Sequence, residues 1–253
     1  MKIRVLGCSG GEYSGLHASG FLIDGRLLFE AGTVTSVLTS EEQAGITDVL
    51  ISHAHLDHIK ELAFLADNLF PAHAAPIRIM AIPEVIETLR NHFFNDKIWP
   101  DFTRLPRDKP ILSYDPVHVG QAHPVGSLVV TPVAVSHTIP AAGFVIDDGV
   151  ASIAFTGDTG KSDAFWERIR PIANLKAVVT ECSFPDSQAD LARESGHLTP
   201  SMLSEGLAIL SRPDVAVYIS HIKPAFLEQV VSDLKRISPP GVVPLVQGQT
   251  LVI

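Results

Sequence analysis

The sequence predicts an α/β protein in which two sheets pack face to face with helices on the outside. Three observations carry this. Short runs rich in Val, Ile and Leu alternate along the chain with segments of helical spacing, the pattern of strands followed by helices. That rhythm occurs twice, over roughly residues 1–125 and 126–253, so one domain of two pseudo-repeated αβ halves spanning 1–253 is expected. A hydrophobic share of 46% is enough for one large core at this length.

The elements follow in order. Apolar runs predict strands at 3–6, 20–23 and 27–30, with Asp24-Gly25 as a hairpin signal. A helical or irregular connector covers 33–45. The unbroken run Val49-Leu50-Ile51 reads as a buried strand. Apolar spacing predicts a helix over 59–69, then a strand at 77–81. Pro83, which lacks an N–H that the first helical turn does not use, opens a helix through Arg90. In the second half, strands are expected at 128–135 and 143–146, with a turn at Asp147-Asp148-Gly149. A strand at 150–155 ends in Gly157-Asp158-Thr159-Gly160, and a helix covers 162–169. A strand at 177–180 ends at Glu181. Thr199 is expected to cap a helix over 200–210, and a strand at 215–219 ends near His221. A helix at 224–236 and strands at 242–246 and 251–253 complete the chain.

Net charge is −9 with histidines neutral. That argues against a broad basic surface for nucleic acid. It leaves room for a small anionic substrate, because bound cations reverse the local field. No basic-then-apolar leader and no long apolar span is present, so a cytoplasmic chain without a membrane partner is expected. Cys8 and Cys182 lie far apart in sequence and are expected to be reduced.

The densest chemistry is Ser52-His53-Ala54-His55-Leu56-Asp57-His58, directly after the buried strand. His53 and His55 are two apart and point the same way while the chain is extended. Asp57 and His58 lie past the bend and reach a second point, so one loop supplies ligands to two neighbouring cations. Imidazole and carboxylate without thiolate suit zinc, with manganese or iron as alternatives. Further candidates stand at strand ends: His137, Asp158, Glu181 and His221, with His197 just before a helix. Polar groups gathered at strand ends along one sheet edge commonly build a site. The other histidines, His73 and His92 among them, read as surface or packing residues.

The His-x-His-x-Asp-His run, the distant His137, the Gly-Asp-Thr-Gly turn and the final His221 together resemble the metallo-β-lactamase fold superfamily. The resemblance spans essentially the whole chain and implies a four-layer αββα sandwich. Within the superfamily the chain is most similar to class II 3′,5′-cyclic-nucleotide phosphodiesterases. The segments that carry this are Leu6 to Gly11, Glu30 to Thr33, His55 to Ile59, Ile98 to Phe102, Glu181 to Phe184, Gly196 to Pro200 and Ser220 to Pro224. Glu30 stands where the family commonly has Asp and reads as structural.

The resemblance implies two divalent metal ions. His53, His55 and His137 would hold one; Asp57, His58 and His221 the other; Asp158 would bridge them. It implies hydrolysis of cAMP or cGMP to the 5′-nucleotide by a metal-bridging hydroxide. Asp57, His197 and Glu181 are the candidate catalytic group, with His197 expected as general acid and Glu181 as its orienting partner. Asn91, Phe94, Trp99 and Phe102, from an aromatic-rich segment, are candidates for contact with the base; the same aromatics equally suit core filling or a dimer interface. Homodimers are common in the family. A ribonuclease Z-like or other small phosphodiester hydrolase of the same fold is the alternative. A non-catalytic metal- or ligand-binding module is the alternative of a different class.

Overall fold

Two seven-stranded sheets organise the chain in the computed structural model, which describes residues 1–70, 75–237 and 241–253. The first holds β1 (Lys2–Gly7), β2 (Gly20–Ile23), β3 (Leu27–Ala31), β4 (Asp48–Leu50), β5 (Ile77–Ala81) and β6 (Leu112–Pro116). The second holds β7 (His123–Val125), β8 (Leu128–Ala134), β9 (Ala142–Asp147), β10 (Ser152–Phe155), β11 (Leu175–Glu181), β12 (Ala216–Ser220) and β13 (Val242–Pro244). The last strand, β14 (Thr250–Val252), returns to pair antiparallel with β1 in the register Ile3–Leu251. The strand orders are β14-β1-β2-β3-β4-β5-β6 and β13-β12-β11-β10-β9-β8-β7. The sheets therefore do not divide where the two halves were expected to meet: β7 belongs to the second sheet and β14 to the first.

Alternation along the strands explains the layering. Phe144 and Ile146 of β9, Ile153 and Phe155 of β10, and Ala177 and Val179 of β11 join the core between the sheets. The intervening Val145, Ala154 and Val178 join a second core beneath helices, as period-two side chains must when both faces are covered. Phe21, Phe29, Phe144 and Phe155 form the centre of the inter-sheet core, with Phe29 and Phe155 centroids 4.5 Å apart. Helices α1 (Ser40–Ala44), α2 (Leu56–Leu69) and α3 (Pro83–Thr88) belong to the first half; α3 continues as a π-turn over Leu89–Phe93. Helices α4 (Asp163–Ile169), α5 (Ala189–Ser195), α6 (Pro200–Leu210) and α7 (Leu227–Ile237) belong to the second. No helix among the described residues is long and apolar enough to cross a membrane.

Three differences from the sequence reading have physical causes. Helix α2 begins at Leu56, not at 59, because His55 is extended (φ −68°, ψ 149°) and occupies the N-cap; Asp57 and His58 thus ride the first helical turn. Thr199 stands at the start of α6, but its side chain makes no capping hydrogen bond. Strands β6 and β7 and helix α5 were not foreseen. Their sequences carry Asp and Pro (Leu-Ser-Tyr-Asp-Pro), Pro in a three-residue edge strand, or a single buried residue, Ala192, and so lack a usable apolar period. His73 lies outside the described residues.

Candidate metal centre

Strands β3 to β6 run parallel, as do β10 to β13. Their C-terminal ends therefore share one edge of each sheet, and loops leaving that edge converge. The loop after β4 delivers His53 and His55. The turn after β10 delivers Asp158, β11 ends in Glu181, and β12 is followed by His221. His221 has a left-handed φ of 57°, which turns its imidazole into the cluster. Gly10 lies against it: a Cβ there would meet the His221 carbonyl oxygen at 2.6 Å, so only glycine fits.

Around one point stand His53 Nε2, His55 Nδ1 and His137 Nε2. His55 Nδ1 is 3.1 Å from His53 Nε2 and 3.2 Å from His137 Nε2. His137 Nδ1 is 2.9 Å from the Gly196 carbonyl oxygen. A carbonyl only accepts, so Nδ1 carries the proton and Nε2 presents a bare lone pair. His53 Nδ1 lies 2.8 Å from Ser52 Oγ, a hydroxyl able to accept from Nδ1–H and so leave Nε2 for the cluster. Burial, first of all, holds His53 well below the usual imidazole range and lowers His55 and His137 too, keeping lone pairs free.

A second point is framed by Asp57, His58 and His221. His58 Nε2 and His221 Nε2 are 3.3 Å apart, and Asp57 Oδ2 is 3.3 Å from His221 Nε2. His221 Nδ1 is 3.0 Å from Ser183 Oγ, and His58 Nδ1 is 3.4 Å from Glu30 Oε1. Asp158 Oδ2 lies between the two groups, 3.7 Å from His53 Nε2, 3.4 Å from His58 Nε2 and 3.3 Å from His221 Nε2. Burial pushes the Asp158 carboxyl up, but the imidazoles of His221 and His58 outweigh it and hold it well below the usual range. Burial likewise opposes ionisation of Asp57, which the His221 hydrogen bond and the His58 charge overcome.

This donor set fits a pair of divalent cations. Nitrogens of five imidazoles and oxygens of two carboxylates converge at 3–4 Å, and Asp158 Oδ1 is buried without a hydrogen-bond partner. Such a concentration of acceptors is costly unless positive charge sits among them.

Beside the cluster, His197 Nδ1 is 2.7 Å from Glu181 Oε1. Its ring stacks on His221 at 5.5 Å and 20° and lies edge-on to His137. Burial lowers the imidazole, but Glu181 more than offsets it, so His197 is raised above its ordinary value. Glu181 is fully buried and also accepts from the N–H groups of Thr159, Ser183 and Leu198 and from Ser183 Oγ–H.

The segment 91–102 is placed differently from the metal residues. Phe94 and Phe102 are 1% and 4% exposed and pack in the core, Phe102 edge-on to Phe70. Neither has a free face for a base, which corrects that part of the sequence reading. Trp99 is half-buried with its ring edge-on to Phe64, and Asn91 is exposed, its carbonyl accepting from Asn95 Nδ2. Among the described residues, no hydrogen bond, ion pair or ring contact joins this segment to the histidine cluster. Sequence reasoning missed Ser52, Ser183 and the Gly196 carbonyl, each of which faces the outer nitrogen of a cluster histidine. Ser52 precedes His53, and Ser183 follows Glu181 by two; adjacency to a candidate site residue was the available signal.

The sequence matches the beta-lactamase superfamily domain over residues 26–222. It is 29% identical over 205 residues to a probable 3′,5′-cyclic-nucleotide phosphodiesterase of Yersinia pestis, covering 72% of this chain and 58% of the relative. It is 28% identical over 236 residues to 3′,5′-cyclic-nucleotide phosphodiesterase 1 of Saccharomyces cerevisiae, covering 76% of this chain and 63% of that one. The matches thus span about three-fifths of these relatives' lengths. The fold superimposes on unliganded yeast PDE1 with a TM-score of 0.84 at 20% identity, over 100% of this chain and 99% of that one. With the domain match running through most of the two-sheet fold and its strand-end histidines, the chain belongs to the beta-lactamase superfamily.

Proposed function

We propose that this chain hydrolyses 3′,5′-cyclic nucleotides to 5′-nucleotides. The observation that carries the reading is Asp158 Oδ2, one carboxylate oxygen lying within 3.3–3.7 Å of imidazoles from both ligand groups. The names of the Yersinia and Saccharomyces relatives support the substrate class. His53, His55 and His137 would hold one divalent cation, Asp57, His58 and His221 a second, with Asp158 shared; zinc is the favoured metal and manganese or iron the alternatives. When bound, such a pair neutralises phosphoryl charge and brings the pKa of water toward neutrality.

The remaining roles belong to side chains. His197, protonated because Glu181 holds it raised, donates its proton to the departing 3′ oxygen. Glu181 keeps the Nδ1–H fixed, so the other ring nitrogen is the one offered to substrate. Asp57 stays ionised and orients the attacking water by accepting its hydrogen bond. Trp99 and Asn91 are the members of the aromatic segment with surface to offer a base. Phe64 and Ile98, exposed beside Trp99, offer apolar surface to a second copy of the chain. RNA is disfavoured by the net charge of −9 and by the short interval between His137 and Asp158, filled by β9 and β10.

A turnover panel on metal-loaded protein tests this: cAMP, cGMP, 2′,3′-cyclic nucleotides, bis-p-nitrophenyl phosphate and a precursor tRNA. The reading requires 3′,5′-cyclic nucleotides to be cleaved with the highest kcat/KM of the natural substrates. Cleavage confined to the tRNA, or no turnover by protein with full metal, overturns it.

A further inference from the structure

Lys223 carries a positive charge beside the histidine cluster that nothing in the fold balances. It follows His221 by two residues. Its extended backbone (φ −62°, ψ 124°) leads into a 3₁₀ turn over Pro224–Phe226, the conformation that a following proline favours. Three contacts wrap this segment around His197. Before Lys223, the His221 ring stacks on His197 with centroids 5.5 Å apart. After it, Phe226 packs on Phe184 and Phe184 on His197, each pair at 5.7 Å. Between the two, the Lys223 N–H donates to the Ser183 carbonyl at 3.1 Å, and Ser183 Oγ lies 3.3 Å from His197 Nδ1. The residue is half-buried, and among the described residues its ammonium makes no hydrogen bond and no ion pair. The nearby Glu181 is taken up by His197 Nδ1 and four other donors. A cation partly withdrawn from water without a partner is unfavourable. Nor does it serve the acid, because its charge opposes protonation of His197 while Glu181 favours it. An anion seated beside His197 would compensate it.

We propose that Lys223 is a substrate contact: its ammonium pairs with a non-bridging phosphoryl oxygen of the cyclic diester, and with the phosphate of the 5′-nucleotide after cleavage. The proposal rests on the cyclic-nucleotide reading given above. Lysine suits the task as a compact point charge with three donors on a flexible stem. The contact is made before attack as well as during it, so its loss raises KM. A phosphate monoester carries about −1.5 to −2 at neutral pH, more than the single charge of the diester, so Lys223 holds the product more strongly than the substrate.

The test is steady-state kinetics of Zn²⁺-loaded wild type, Lys223→Met and Lys223→Arg on cAMP, with 5′-AMP as inhibitor. Lys223→Met keeps the stem and removes the charge. The expected result is unchanged zinc content in both variants. In Lys223→Met, KM for cAMP rises about 10–100-fold, the worth of a charged hydrogen bond, and kcat falls by less. Its Ki for 5′-AMP rises by more than KM does. Lys223→Arg, which keeps the charge, stays close to wild type in both. ¹⁵N NMR of the lysine ammonium groups in zinc-loaded wild type gives a second readout. The Lys223 signal, assigned by its loss in Lys223→Arg, should shift and exchange more slowly when 5′-AMP is added. Wild-type KM and Ki in Lys223→Met overturn the proposal. A displaced pH profile with KM and Ki unchanged also overturns it, because Lys223 would then act only through His197. An ammonium signal indifferent to 5′-AMP overturns it even where Lys223→Met loses zinc or fails to fold. Zinc-loaded wild type that does not cleave cAMP overturns the cyclic-nucleotide reading instead, and the response to 5′-AMP then decides the phosphate contact by itself.

Discussion

His197 and Glu181 form the contact on which the proposed acid catalysis turns. Glu181 accepts from four other donors besides His197 Nδ1, so it cannot swing away, and the imidazole it holds keeps one orientation. His197→Ala is therefore expected to slow cyclic-nucleotide cleavage by about 10²–10⁴-fold while both cations stay bound. For bis-p-nitrophenyl phosphate, whose leaving group needs no proton, the loss is at least tenfold smaller. Equal losses on both substrates would remove the acid role. A second residue-scale prediction concerns Cys8. Burial pushes its thiol up from 9.0 to about 11, so the unfolded chain ionises first as pH rises. The stability that Cys8 contributes is complete below about pH 9 and is lost as pH climbs toward 11. Urea midpoints should fall across that window, and Cys8→Ala should flatten the fall; an unchanged slope contradicts the assignment. The clustering of His53, His55, Asp57 and His58 was legible in sequence because four coordinating groups crowd a strand end. Ser52 and Ser183 were not, because a serine beside a histidine has no spacing that separates an outer partner from a loop residue.

Helix packing decides whether a favourable local substitution helps. Gly206 lies inside α6, where alanine is intrinsically better by about 1 kcal/mol. Yet a Cβ at this position would lie 2.5 Å from Trp166 Cε2 on α4, and a buried indole cannot yield like a flexible chain end. Overpacking of this kind costs about 1–3 kcal/mol and displaces neighbours, so the clash outweighs propensity. Gly206→Ala should lower Tm in a thermal scan by a few degrees; an equal or higher Tm would show that α4 and α6 separate freely. At this scale the sequence was informative wherever a period was long or a turn had a chemical signature. Asp24 and Gly25, both at positive φ, made the β2–β3 turn legible, and Ile77–Ala81 was found at its bounds. The start of α2 was not, since His55 and Asp57 carry no apolar period; the helix there is organised by the site. The 91–102 aromatics illustrate the same limit. Composition could not tell a stacking platform from core, and burial of Phe94 and Phe102 decides for core.

For the whole molecule, the cluster couples the sheets. His53, His55 and His58 leave the first, and Asp158 and His221 leave the second, so the proposed cations between them would tie the two layers together. Ligands that bind only the native state stabilise it by about 2.7 kcal/mol at a hundredfold excess over Kd, worth roughly 5–10 °C in a chain of this size. Exhaustive chelation should therefore lower Tm by about that amount and abolish turnover, with Zn²⁺ restoring both; a Tm indifferent to metal would mean that the layers are held without it. The overall architecture was legible because strand and helix periods alternate over the full length. The return of β14 to β1 was not, because sequence order carries no information on which edge a last strand joins. The central claim is that seven side chains frame two cations and share Asp158 between them. Anomalous diffraction at the zinc edge, on crystals of Zn²⁺-loaded wild type, tests it most directly. Two peaks are predicted, one bounded by His53, His55 and His137, the other by Asp57, His58 and His221, with Asp158 touching both. A single peak, or two peaks that do not share Asp158, would contradict it.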